Sequence, residues 1–234
     1  MLDQQTTSPT ILLLLISAAL AALGPALSAT DEPPQTPEVS AEDAAAIRTT
    51  FDVFRSAIGI RHAEHALAEI SEDSLRSFEI IRRMAIAGKR LKIMGLAPSS
   101  RLMVFILRLK LTQEQLEAMT AEDLFKTAVK NGWYGRAVVL NSKLDVVRGG
   151  FEEAKAQIIS QSGPTPFHYS FVREGDSWKL NLDSLNELLD AVLADLWRSS
   201  EMDENRFIMH EAGKIAEKPV SDELWYPLNS TRRR

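Results

Sequence analysis

The sequence predicts an α+β fold. In it, N-terminal helices pack on a curved antiparallel meander sheet of about four strands, with extra C-terminal helices. Three observations carry that expectation. Between residues 40 and 132, apolar residues recur at steps of three and four, the repeat of one helix face. Between 136 and 182 they recur at steps of two, the repeat of a strand. Within the second region, residues 166–182 read as a hairpin. Phe167, Tyr169 and Phe171 alternate with His168, Ser170 and Val172 before the turn Glu174-Gly175-Asp176. Trp178, Leu180 and Leu182 then alternate with Lys179, Asn181 and Asp183.

A length of 234 residues suits one domain with additions. The formal net charge is −5, with Lys and Arg scattered, so no nucleic-acid footprint is present. Cysteine is absent, which excludes disulfides, a thiolate metal site, a thiol nucleophile and a lipid-modified N-terminal cysteine.

The N-terminal residues read as an address. Residues 11–29 carry no charge and begin as a continuous apolar run. Gly24-Pro25-Ala26 breaks it, and Leu27-Ser28-Ala29 offers small residues for cleavage. Residues 1–29 are therefore expected to be a signal peptide of a periplasmic or secreted protein, although the first ten residues lack Lys and Arg. The alternative is an uncleaved membrane anchor, since roughly 19 uncharged residues just span a bilayer. Residues 30–39 form a Pro-rich spacer, residues 40–228 the single α+β domain and residues 229–234 a solvated basic tail.

The helices follow in order. Ser40 with Asp43 opens the first, whose stripe is Ala44, Ile47, Phe51, Phe54 and Ile58, up to Gly59. A short second helix is expected over 61–70. Ser71 caps a third, with Leu75, Phe78, Ile81 and Ala85 inward and Gly88 as its stop. Arg82, Arg83, Lys89, Arg90 and Lys92 gather at its end, where cations complement the helix dipole. Pro98 starts a helix carrying Leu102, Phe105, Ile106 and Leu109. Thr112 with Gln115, and Thr120 with Asp123, have capping-box spacing and open two more. Asn131-Gly132 ends the helical half.

Residues 136–147 read as a first strand, bent at Asn141-Ser142. Gly149-Gly150 turns into a second strand, in which Glu153, Lys155, Gln157 and Ile159 alternate with Ala154, Ala156, Ile158 and Ser160. Gly163-Pro164 leads into the hairpin. Asp183 or Ser184 is expected to cap a closing helix, Phe207, Ile208 and Ile215 mark another, and Trp225-Tyr226-Pro227-Leu228 a final apolar hook.

Helices, a long meander and a last strand written as charged turn then Trp178-Lys179-Leu180 resemble the nuclear transport factor 2-like superfamily. Residues 171–180 carry the resemblance, and it covers 41–83 with 136–182. It implies a cone-shaped domain in which Trp178 wedges the last strand onto the helices. Relatives include ligand binders, ketosteroid isomerases and polyketide cyclases, so the resemblance addresses fold and not activity. The block 89–132 and the C-terminal helices are additions to that pattern, placed to cover or fill the mouth of the cone.

No catalytic residue of those relatives can be matched here. The chain has no G-x-S-x-G, no S-x-x-K set and no phosphate loop. The candidate ligand-pocket residues are Trp133, Tyr134, His168, Tyr169 and Asp183. His168 would act as acid or base only if it pointed into the cone, and its aromatic neighbours are the better core face. His62 and His65 are three apart on a helix but have no third ligand. The sequence thus points to a non-catalytic exported domain, without metal or cofactor, that binds a small ligand or a protein partner. An isomerase- or cyclase-like enzyme using the cone interior is the alternative. Lys143, Arg148, Glu153, Lys155 and Gln157 make the outer sheet face polar, consistent with a monomer or weak dimer.

Overall fold

The computed structural model describes residues 39–160 and 163–230. The proposed signal peptide, spacer residues 30–38 and tail residues 231–234 lie outside them. Eight helices come first: α1 (Ala41–Ile60), α2 (Ala63–Ala68), α3 (Glu72–Ala87), α4 (Arg90–Met94), α5 (Pro98–Lys110), α6 (Gln113–Ala118), α7 (Ala121–Asn131) and α8 (Arg136–Leu140). One antiparallel sheet follows, from β1 (Lys143–Gly149), β2 (Glu153–Ser160), β3 (Gly163–Glu174) and β4 (Ser177–Asn181), in the order β1-β2-β3-β4. Two helices, α9 (Asp183–Arg198) and α10 (Glu204–Ala216), and a 3-10 turn (Asp222–Trp225) complete the chain. The fold is α+β, with helices on both sides of the sheet in sequence.

Local chemistry sets most helix ends. Ser40 Oγ accepts the Asp43 N–H at the start of α1, and both Thr112 and Thr120 form complete capping boxes. Gly132, at φ 69°, ends α7 in the left-handed region, where a side chain would be strained. Gly88 ends α3 for a different reason: a Cβ there would lie 2.5 Å from the Met84 carbonyl oxygen.

Three expectations are corrected. Residues 136–140 are helix, not strand. Gly135 at φ 57° turns the chain into α8, Ala137, Val138 and Val139 are buried together, and Asn141-Ser142 is the helix-to-strand junction. The second helix is shorter than 61–70, because Ile70 leaves it to bridge Leu180. Neither Asp183 nor Ser184 is the N-cap of α9; Leu182 is, and Asn181 Oδ1 accepts the Asp183 N–H at 2.9 Å.

The inner face of the sheet is filled. Ala154, Ala156, Ile158, Tyr169, Phe171, Trp178 and Leu180 are buried, α1 packs on β4 and α9 on β3, and the Phe51 ring of α1 lies 4.9 Å from that of Tyr169. Each sheet edge has partners outside the sheet. Arg48 of α1 donates to the Leu144 and Asp145 carbonyls of β1 at 3.2 and 2.6 Å. On β4, Leu180 donates to Glu69 and accepts from Ser71. Unpaired edge groups would invite another strand, and these contacts satisfy some of them.

One polar node ties the hairpin to α1. Asp43 Oδ1 accepts from the Trp178 indole N–H at 2.8 Å and from the Arg173 guanidinium. That guanidinium lies 4.6 Å from the ring centres of both Phe151 and Trp178. The indole bond, with Ser40 and Arg173, holds the Asp43 carboxyl below the usual carboxylate range.

The helical block is organised around α5, which packs against α3, α9 and α10. Arg108 is buried there, and its guanidinium donates to the carbonyls of Ala85, Leu224, Met84 and Gly88 at 2.6 to 2.9 Å. It therefore satisfies the C-terminal carbonyls of α3 and the 3-10 turn at once. Glu79 of α3 is clasped by Arg82 and Arg83, which lower its pKa from 4.5 to about 2.

Trp178→Ala is expected to lower the unfolding free energy in urea titration by about 3–5 kcal/mol, the cost of emptying a large buried site. Arg108→Met leaves several buried carbonyls without a donor, and a loss of at least about 3 kcal/mol is expected by the same measurement. The unfolded chain protonates Glu79 near 4.5 and the folded chain near 2. Its contribution is therefore complete above that window and is lost as pH falls through it. Glu79→Gln should flatten the decline of stability between pH 4.5 and 2.

Candidate binding groove on the outer face of the sheet

Strand alternation sends every second side chain away from the helices, and the register decides which of them meet. Arg148 of β1 sits directly opposite Lys155 of β2. Lys155 in turn faces Ser170 of β3, and Ser170 faces Asn181 of β4. In the next row Gln157 faces His168. The β1–β2 turn brings Phe151, 74% exposed, and Glu152 to the same side. These residues line an open groove of about 860 Å³, with Val146 and Val172 as apolar wall.

The electrostatics of the groove are unusual. Like charges directly opposite each other on a sheet repel, yet Arg148 and Lys155 are so placed. Among the described residues neither has an ion pair. Partial burial lowers the His168 pKa, and the two cations lower it further. His168 is therefore neutral at pH 7, with one ring nitrogen to donate and one to accept. Glu152 and Glu153 lie at the turn end of the groove. The arrangement can hold a small anion against cations and amide donors, with an apolar wall for the rest of the molecule.

Of the five residues singled out from sequence, only His168 lines this groove. Tyr169 is on the opposite face of the same strand, wholly buried, and its hydroxyl donates to Ser142 Oγ at 3.2 Å. Tyr134 is buried edge-on to Phe78 and donates to Asn186 Oδ1 at 2.8 Å. Burial raises the pKa of both phenols far above the ordinary range, so they stay protonated. Trp133 packs, half-buried, against the core. Asp183 is exposed at the start of α9 and accepts from Ser77 Oγ at 3.1 Å. The five do not form one pocket, because neighbours in a strand point to opposite faces. Asp183 does not line the groove that His168 lines.

His62 and His65 stack with ring centres 3.8 Å apart, and His62 Nδ1 accepts the His65 N–H that caps α2. Among the described residues, no group of three or more His, Asp or Glu side chains is arranged to hold a metal ion.

Arg148, Lys155 and Gln157 were legible only as a polar face. The signal that marks them is the pairing of Arg148 with Lys155, which needs the strand register. No protein family, curated protein or solved structure matches the chain.

Lys155→Gln should raise the His168 pKa toward its ordinary 6.5, since it removes a repelling charge. An NMR titration of the imidazole Cε1 proton reads this directly, and an unchanged midpoint would contradict the groove electrostatics described.

Proposed function

We propose that this chain is an exported, non-catalytic binding domain whose groove takes a small organic anion with an apolar body. The observation that carries the reading is the unpaired, in-register Arg148 and Lys155 beside His168 in a half-apolar groove. Two exposed cations held opposite each other without an ion pair favour an anionic ligand, and charge-assisted hydrogen bonds are stronger than neutral ones. Val146, Val172 and Phe151 supply the apolar contact that typical ligand sites use for affinity. The order of helices then meander, and the buried Trp178, support a place among nuclear transport factor 2-like domains. In this reading the ligand sits on the outer sheet face, because aromatic side chains occupy the inner one. Export rests on the uncharged run at 11–29 and its small-residue end. A polar outer face fits a monomer or weak dimer.

Benzoate and phthalate are suitable probes, with benzamide as the uncharged control of similar shape. The carboxylates should raise the melting temperature and benzamide should not. By calorimetry, Arg148→Gln and Lys155→Gln should each weaken carboxylate binding by about tenfold, the worth of one charge-assisted contact. Equal shifts with benzamide, or unchanged affinity in the double variant, would overturn the anion reading.

A further inference from the structure

Distinct from the groove is an exposed surface where α3 passes into α4. Leu91 is 84% exposed and Met94, three residues on in α4, 40%. Around them stand Arg83, Lys89, Arg90 and Lys92. Cations at a helix end usually complement its dipole. That explanation is already spent here, because Arg108 donates to the terminal carbonyls of α3 from inside the core. Arg83 is paired with Glu79, and Arg90 lies over the Trp225 ring at 5.2 Å. Among the described residues Lys89 and Lys92 have no ion pair.

We infer that this surface docks on an anionic lipid bilayer, with Leu91 and Met94 entering the headgroup boundary and Lys89, Arg90 and Lys92 meeting lipid phosphates. Charge complementarity carries the choice of occupant. The chain as a whole has a formal net charge of −5, so a bilayer of anionic lipid would repel most of it. A local excess of cations framing bare aliphatic side chains reverses that at one point, which is how peripheral proteins sit at an interface. Shape agrees. Neither Leu91 nor Met94 lines the groove on the sheet. These side chains project from the surface, so they suit insertion and not the reception of a partner's side chain.

The test is co-sedimentation of the full chain with vesicles of phosphatidylcholine alone and of equimolar phosphatidylcholine and phosphatidylglycerol. Any contribution of the apolar N-terminal run is common to all variants and cancels in their comparison. Binding should favour the anionic vesicles by about tenfold or more and fall as salt rises. Lys89→Gln with Lys92→Gln should remove most of that preference. The matched pair Lys130→Gln with Lys143→Gln, exposed elsewhere, should change it less than about twofold. Leu91→Asp should weaken binding to the anionic vesicles by about tenfold, with an unchanged melting temperature showing that the fold is intact. Equal binding to both vesicle types, or equal loss from both lysine pairs, overturns the proposal. So does capture of polyglutamate without a vesicle preference, which would make the occupant an acidic protein.

Discussion

The Asp43 carboxylate receives the Trp178 indole N–H and the Arg173 guanidinium, and the rest of the hairpin geometry depends on that contact. It joins the first turn of α1 to the last two strands, more than a hundred residues later in the chain. Arg173 adds the β1–β2 turn, since it lies over Phe151 and its Nε donates to the Phe151 carbonyl at 2.9 Å. Asp43 with Trp178 and Arg173 thus ties together α1, β3, β4 and the β1–β2 turn. The indole ring contributes apolar burial, while its N–H sets direction, so the sheet has a defined tilt against α1. Glu174, one residue beyond Arg173, accepts the Glu72 N–H at 2.8 Å and so positions the start of α3.

With the hairpin held this way, the two sheet faces take different tasks. The inner face is occupied by buried aromatic and aliphatic side chains. The outer face keeps its polar residues because, among the described residues, only strands and the β1–β2 turn line its groove. Sheet edges are capped by Arg48 on one side and by residues 69–71 on the other, which leaves the outer face as the exposed surface of the sheet. A recognition role for the chain is therefore best sought there, on a rigid scaffold, and not in the interior.

The helices around α5 are held by buried guanidinium groups as well as by apolar packing. Arg108 reaches four carbonyls, and Arg101 reaches Asn205, Leu96 and Glu204. Arginine suits this because its planar fork supplies several fixed donors and its charge is weakly hydrated. The consequence reaches the surface. A helix end served from inside leaves its exterior cations available for other partners.

The sequence by itself determined the alternation that makes Tyr169 and Phe171 core and His168 surface, and the caps at Ser40, Ser71, Thr112 and Thr120. These depend on periodicity and on hydrogen bonds between residues three apart, both local. It misread 136–140, where Val138 and Val139 are good strand formers, because burial of Ala137, Val138 and Val139 in a turn packed on α1 outweighs intrinsic preference. Tertiary structure alone decided that Arg148 meets Lys155, that Asp43 serves Trp178 as well as its own helix, and that Arg108 relieves α3. Each of these needs a distance between residues far apart in sequence or a strand register, and neither is encoded in any short window of the chain.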